Sequence, residues 1–199
     1  MQSVRGDDVT VGIVNPDGSR AEMSGNGTRI AAAWLMSRTG SATALVHVGT
    51  RTVAVRWIEN GLYESELGPV EVGEPETVDG IELIPVLVGN PHAVVVGDPG
   101  TVRELGPRLE GHPRFRERTN VQVVRVERPG EVTARVWERG VGETSASGTS
   151  AVAVAAATHR DGEVVVHFPG GDLGVRLDGN RAWLTGPAEP LEEFPGSRS

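Results

Sequence analysis

Cysteine is absent from this chain, so neither a disulfide framework nor thiolate chemistry is open to it. A basic run is also lacking: the Lys and Arg residues are scattered, and the net charge is -8 with a pI near 5.2. That balance argues against nucleic acid or an anionic membrane as the main partner. No apolar segment reaches the length of a transmembrane helix, and the start Met1-Gln2-Ser3-Val4-Arg5-Gly6 lacks the apolar region of a signal peptide. A cytoplasmic location is expected. The five histidines His47, His92, His112, His159 and His167 show no pairing with carboxylates at metal-ligand spacing, so neither a metal nor any other cofactor is expected.

What is present is enough for a core: 199 residues, 38% of them hydrophobic, suffice for one large domain or two small ones. The 27 glycines and 13 prolines punctuate many short β-branched runs, which reads as strands joined by tight turns. Strands are predicted at 9–14, 44–48, 53–58 and 62–67, with Asn15-Pro16-Asp17-Gly18 as a hairpin turn. In the second half they are predicted at 83–88, 93–96, 121–126, 132–137, 164–168, 174–177 and 182–184. Helices are expected at about 25–37 and 148–159, and a short one from Val102 that Pro107 should end. A helix that is apolar on every side has no face for water and should be wrapped by sheet. Two such helices, each with its own strands, suggest an α+β fold of two pseudo-symmetric lobes. The stretch Gly68–Pro75 is the candidate crossing between them, giving lobe one at 1–70 with 188–199 returning to it, and lobe two at 71–187.

Two segments resemble one another. Glu22-Met23-Ser24-Gly25-Asn26-Gly27-Thr28-Arg29 runs into Ile30-Ala31-Ala32-Ala33, and Glu143-Thr144-Ser145-Ala146-Ser147-Gly148-Thr149-Ser150 runs into Ala151-Val152-Ala153-Val154. In both, a Ser-Gly pair opens an apolar helix. The free N–H groups and positive dipole end of such a start suit a carboxylate or another anion. Two starts facing each other would make a two-sided anion site with one hydroxyl on each flank. Taken alone, Ser24 and Ser147 read more readily as helix N-caps and nothing more. Asn15 and Asn90, each before a proline, read as turn residues, and Glu138 with Arg139 as a surface pair.

Six motifs, in order, resemble the diaminopimelate epimerase family. They are Asn15-x-Asp17-Gly18-Ser19, the segment from Glu22 to Arg29, Gly89-Asn90-Pro91-His92, Thr119-Asn120, Glu138-Arg139-Gly140-Val141-Gly142-Glu143-Thr144 and Thr185-Gly186-Pro187-Ala188. The resemblance implies two lobes, each a curled, mostly antiparallel sheet around a central apolar helix, with a small amino-acid substrate, diaminopimelate, in the cleft between them. It implies proton transfer at the α-carbon without pyridoxal phosphate or metal, converting LL- to meso-diaminopimelate for lysine and peptidoglycan precursors. Asn15, Asn90 and Asn120 would contact the substrate's amino and carboxylate groups, and Glu138 and Arg139 its distal end. Gly25, Asn26, Gly148 and Thr149 would hold the carboxylate of the reacting carbon. Ser24 and Ser147 occupy the acid/base positions, with His92 or Glu138 as a possible assisting base. Family members commonly pair, so a homodimer is expected.

The sequence departs from the family's pattern in two places. The acid/base positions, cysteine in most members, are both serine here. The family's N-terminal part, with a His-Gly-x-Gly-Asn-Asp-Phe motif, has no match, so lobe one is expected to be incomplete with an exposed strand edge near Val9 to Val14. An alcohol ionises about five pKa units above a thiol, which costs about 7 kcal/mol, a rate loss on the order of 10⁵-fold. A helix dipole contributes at most about 2 kcal/mol. An amino-acid-binding homologue with impaired or no turnover is therefore the alternative reading. Relatives that act on proline or hydroxyproline share the scaffold but lack the Glu138–Thr144 pattern, and rank last.

Overall fold

The computed structural model describes residues 3–12 and 24–188. In chain order the elements are β1 (Ser3–Arg5), β2 (Asp8–Val11), α1 (Gly25–Thr39), β3 (Thr43–Val48), β4 (Arg51–Glu59), β5 (Leu62–Pro69), β6 (Glu71–Val72), β7 (Glu76–Val78), β8 (Ile81–Leu87) and β9 (Pro91–Val96). A 3-10 turn at Pro99–Thr101 leads into α2 (Val102–Glu110). Then follow β10 (Asn120–Arg128), β11 (Glu131–Glu138), β12 (Gly142–Thr144), α3 (Gly148–Thr158), β13 (Gly162–Phe168), β14 (Gly171–Asp178) and β15 (Arg181–Pro187).

The strands form one continuous sheet in the order β1-β2-β3-β4-β5-β15-β14-β13-β11-β10-β9-β8-β6, with β12 on β11 and β7 on β8. Parallel pairing occurs at β2/β3, β9/β10 and β11/β13, where α1, α2 and α3 make the crossovers that parallel neighbours require. A repeat is visible in this pairing. The run β2-α1-β3-β4-β5 has the same connections as β11-α3-β13-β14-β15: one parallel step, then two antiparallel hairpins. The two runs meet where β5 pairs antiparallel with β15, from Pro187↔Leu62 to Arg181↔Pro69. An antiparallel seam between equivalent strands is what a local twofold produces.

Both central helices belong to one large core, but they are covered differently. In α3 every residue from Gly148 to Ala155 is buried, as expected for an Ala/Val helix without a polar face. In α1 the buried set is Gly25, Thr28, Arg29, Ala32, Ala33, Leu35 and Met36, while Ile30 is 58% exposed. The uncovered side of α1 borders a cavity of about 570 Å³ whose walls include Ile30, Ala33, Trp34, Ala146, Leu173 and Ala188. Sheet therefore encloses α3 from Gly148 to Ala155 and α1 on one side only, among the described residues. The helix ends at Gly40, whose left-handed φ of 75° lets its N–H bond back to Met36 O.

Two expectations are corrected. Pro107 lies inside α2 rather than ending it. The turn that follows is held from outside: Leu109 is fully buried, and Glu110 accepts from Trp137 Nε1 at 2.7 Å and from Gly140 N at 2.8 Å. Tertiary anchoring there outweighs the missing proline N–H. The sheet edge of the first run lies one strand further out than expected. β2 is paired on both sides, by β1 and β3, and the exposed outer strand is β1. The predicted turn at Asn15–Gly18 falls outside the described residues, as do residues 189–199.

Candidate active site

The two serine-glycine segments become the starts of α1 and α3 with nearly the same backbone. Ser24 has φ -145° and ψ 114°, and Ser147 has φ -143° and ψ 128°, the extended geometry of an N-cap. The helix starts abut through their glycines. A β-carbon on Gly25 would lie 2.9 Å from Gly148 Cα, and one on Gly148 the same distance from Gly25 Cα, with Leu184 Cδ2 crowding both. No other residue type fits either position. Because Ser24 and Ser147 each immediately precede one of these glycines, the contact brings two hydroxyl-bearing N-caps and two dipole ends to one place.

The two hydroxyls differ in their bonding. Ser24 Oγ accepts from Gly27 N at 3.0 Å, satisfying one of the orphan donors of α1. Ser147 is buried and makes no side-chain cap bond. Asn26 Oδ1 accepts from Arg29 Nη2 at 2.8 Å, which leaves the Asn26 amide donors directed away from Arg29. Thr149 is buried in the first turn of α3.

The turn before β9 adds a polar chain that reaches α3. His92, buried, shares Nε2 with Asn90 Oδ1 at 2.8 Å and Nδ1 with Gln122 Nε2 at 2.9 Å. Gln122 Nε2 also donates to Ser150 Oγ at 2.9 Å. Since the Gln122 amide is the donor to Nδ1, the ring proton sits on Nε2 and is given to Asn90. The Asn90 amide donors are thus not used by His92. Burial pushes the His92 pKa down to about 3, with the charge of Arg139 adding to the effect. The imidazole is neutral at physiological pH. Both its nitrogens are spent on amides, and neither serine hydroxyl is among their partners.

The remaining candidates cluster at the end of β11. Asn120 Nδ2 donates to Pro91 O at 2.9 Å and its Oδ1 accepts from Arg139 N at 3.0 Å, so this amide ties the Asn90 turn to the Glu138-Arg139 turn. Arg139 Nη1 donates to Glu117 O at 3.0 Å. Glu138 Oε1 accepts from Thr144 Oγ1 at 2.5 Å. Glu143, the second acid of that motif, is held by Arg103 at 2.5 Å and by Arg135, and the Arg103 bond draws its carboxyl below the usual range. Asn15 lies outside the described residues. No group of three or more His, Cys, Asp or Glu able to hold a metal ion occurs among the described residues, and no helix among them is long and apolar enough to cross a membrane.

Three participants escape a reading of the sequence. Gln122 is the one polar residue in the apolar run Val121–Val124, and that interruption is its only signal. Arg29 is the one charge in the first turns of an otherwise apolar helix. Arg51 of β4 packs its guanidinium into the space a β-carbon on Gly89 would fill, from the first run of strands onto the turn that carries Asn90. Nothing in its own surroundings in the sequence signals that reach.

Comparison with known proteins bears on the fold and the family. The diaminopimelate epimerase family model matches residues 85–190. The diaminopimelate epimerase of Pelotomaculum thermopropionicum is 38% identical over 221 residues, covering 95% of this chain and 78% of its own length. That of Desulforudis audaxviator is 39% identical over 220 residues with the same coverage. Among solved structures, a phenazine biosynthesis protein of the PhzF family from Bacillus anthracis superposes with a TM-score of 0.70 at 12% identity, over 97% of this chain and 81% of the other. A hydroxyproline epimerase from Agrobacterium vitis superposes with a TM-score of 0.64 at 17% identity, over 89% and 67%. These two show the shared fold, and the sequence relatives show the lineage: the chain belongs to the diaminopimelate epimerase family.

Proposed function

We propose that the chain epimerises diaminopimelate at its α-carbon by direct proton transfer between two faces, with Ser24 and Ser147 as the acid/base pair. The observation that carries this reading is the abutment of two serine-capped helix starts at Gly25 and Gly148. A substrate carboxylate set against the N–H groups of Gly25, Asn26, Gly148 and Thr149 would hold the α-carbon between the two hydroxyls. One serine, as its alkoxide, takes the α-proton and becomes a hydroxyl, and the electron pair is delocalised into the carboxylate, where both dipole ends stabilise the added charge. The opposite serine hydroxyl then gives its proton to the other face, which inverts the carbon and exchanges the two serines' roles. Asn90 and Asn120, with Asn15 by its motif, would contact the substrate's amino and carboxylate groups, and Glu138 and Arg139 its distal amino-acid end. His92 supports the site by orienting Asn90. The reading includes a cytoplasmic location and a homodimer, checked by cell fractionation and light scattering.

The second reading, an amino-acid-binding relative with little turnover, is favoured by one observation: both acid/base positions are hydroxyls, and Ser24 is already engaged with Gly27 N. Purified full-length chain incubated with LL-, meso- and DD-diaminopimelate, followed by chiral chromatography, separates the two. Slow interconversion that accelerates in the S24C/S147C variant supports epimerisation. Binding by calorimetry without interconversion in either form supports the second reading. Neither binding nor interconversion in either form would remove both.

A further inference from the structure

Arg29 stands out as a cation in the wrong place. It lies in the first turns of α1, at the positive end of the helix dipole, where acidic residues are favoured and the first turn has none. It is 3% exposed, and burial of an unpaired charge is strongly unfavourable unless something compensates. Among the described residues no carboxylate pairs with it. Asp172, which borders the same cavity, is bonded to His167 at 2.8 Å instead. Among the described residues Arg29 Nε has no hydrogen-bond partner. Burial lowers its pKa to about 10, which leaves it charged at neutral pH.

Its contacts are directed at the helix start. Nη1 donates to Gly25 O at 3.2 Å and Nη2 to Asn26 Oδ1 at 2.8 Å. The fold keeps room for the guanidinium: a β-carbon on Gly186 would lie 3.1 Å from Arg29 Cζ and Nη2, and 2.6 Å from Leu173 Cδ2. That accounts for the glycine of Thr185-Gly186-Pro187-Ala188. The equivalent place in α3, four residues after Gly148, holds buried Val152, so only one of the two helix starts is backed by a charge.

We propose that Arg29 is a positioning residue for the substrate's reacting carboxylate: its fork fixes the Asn26 amide with the donors turned to the ligand, and its unpaired charge raises the positive potential of the α1 start. This rests on the reading above, in which that start receives a carboxylate. The bound carboxylate is a counter-charge that the described residues do not supply. Arg29 therefore costs the empty protein stability and gains it back on binding.

The test combines calorimetry and thermal melting of the full chain with meso-diaminopimelate, L-alanine and L-proline as probes. R29M is expected to lose about ten- to hundredfold in affinity for whichever amino acid the protein binds, while its ligand-free melting temperature stays level or rises. R29K, which keeps the charge but not the fork, should recover part of that affinity. N26A should weaken binding in the wild-type background and add little in R29M or R29K. Should R29M fail to fold, R29K and its coupling to N26A still decide. A fall in melting temperature with affinity unchanged, or strict additivity of R29K and N26A, would overturn the proposal, as would a wild-type protein that binds none of the three. Binding of alanine or proline but not diaminopimelate would end the substrate reading alone, with Arg29 then judged on the amino acid that binds.

Discussion

The two helix starts share a backbone and differ in almost everything attached to it. At α1 the serine hydroxyl is used as a cap, a buried arginine backs the first turn, and one side of the helix borders a cavity. At α3 the serine hydroxyl makes no cap bond, the supporting groups are the neutral chain Asn90–His92–Gln122–Ser150, and the helix is buried from Gly148 to Ala155. A duplicated framework has thus kept the geometry that brings two dipole ends together while assigning charge to one side and neutral hydrogen bonds to the other. The difference matters for chemistry that needs one face to accept a proton and the other to donate one, because the two hydroxyls do not start as equals.

The largest expected effect removes what the two starts share. S24C/S147C should raise α-proton exchange in diaminopimelate on the order of 10⁵-fold, the cost of the alcohol pKa, read by NMR. A much smaller gain would mean that a neighbouring base already activates the serines. Acid separates the two sides next. His92 titrates near 6.5 when unfolded and near 3 when folded. The unfolded chain therefore binds the proton first, and stability present above pH 6.5 is lost as pH falls toward 3. Urea denaturation across that window should show the loss, and H92Q should flatten it, while Arg29 on the other side does not titrate there.

Smaller effects test the packing. G25A and G148A each drive a β-carbon to 2.9 Å from the opposing Cα, and each should cost about 1–3 kcal/mol in denaturant melts. Unequal costs would show that one helix can move and the other cannot. The smallest contrast lies in the caps. S24A should cost about 1 kcal/mol, whereas S147A should be close to neutral. Equal values would erase the asymmetry drawn between the two hydroxyls.

The elements with strong local signals were legible in the sequence. Both central helices start at their Ser-Gly pairs, and the hairpins after each helix match the β-branched runs between turn glycines. Short strands such as β1, β6, β7 and β12 have two to three residues each, too few to show a period. Pro107 was misleading because a local rule met a buried Leu109 and an anchored Glu110. In the site, Ser24, Ser147, Asn15 and Asn90 carry a cap or turn signal of their own, whereas Asn120, Glu138 and Arg139 were visible only through the family motifs. Their supports were not: Gln122 lies 30 residues from His92 and 28 from Ser150, and Arg29 acquires its meaning only when Gly186 leaves it room. Residues that orient other residues announce themselves through distance, and distance is not written along a chain.

The most direct test of the two-face account is NMR of LL-diaminopimelate with S24C/S147C in D₂O, sampled early in the reaction. Two opposed groups predict that the meso product carries deuterium at the inverted carbon while the remaining LL substrate is still protonated, because the incoming hydrogen comes from the second group and not from the one that took the proton. Meso product that retains its original α-proton would mean a single group serves both faces, and the pairing of Ser24 with Ser147 would be contradicted.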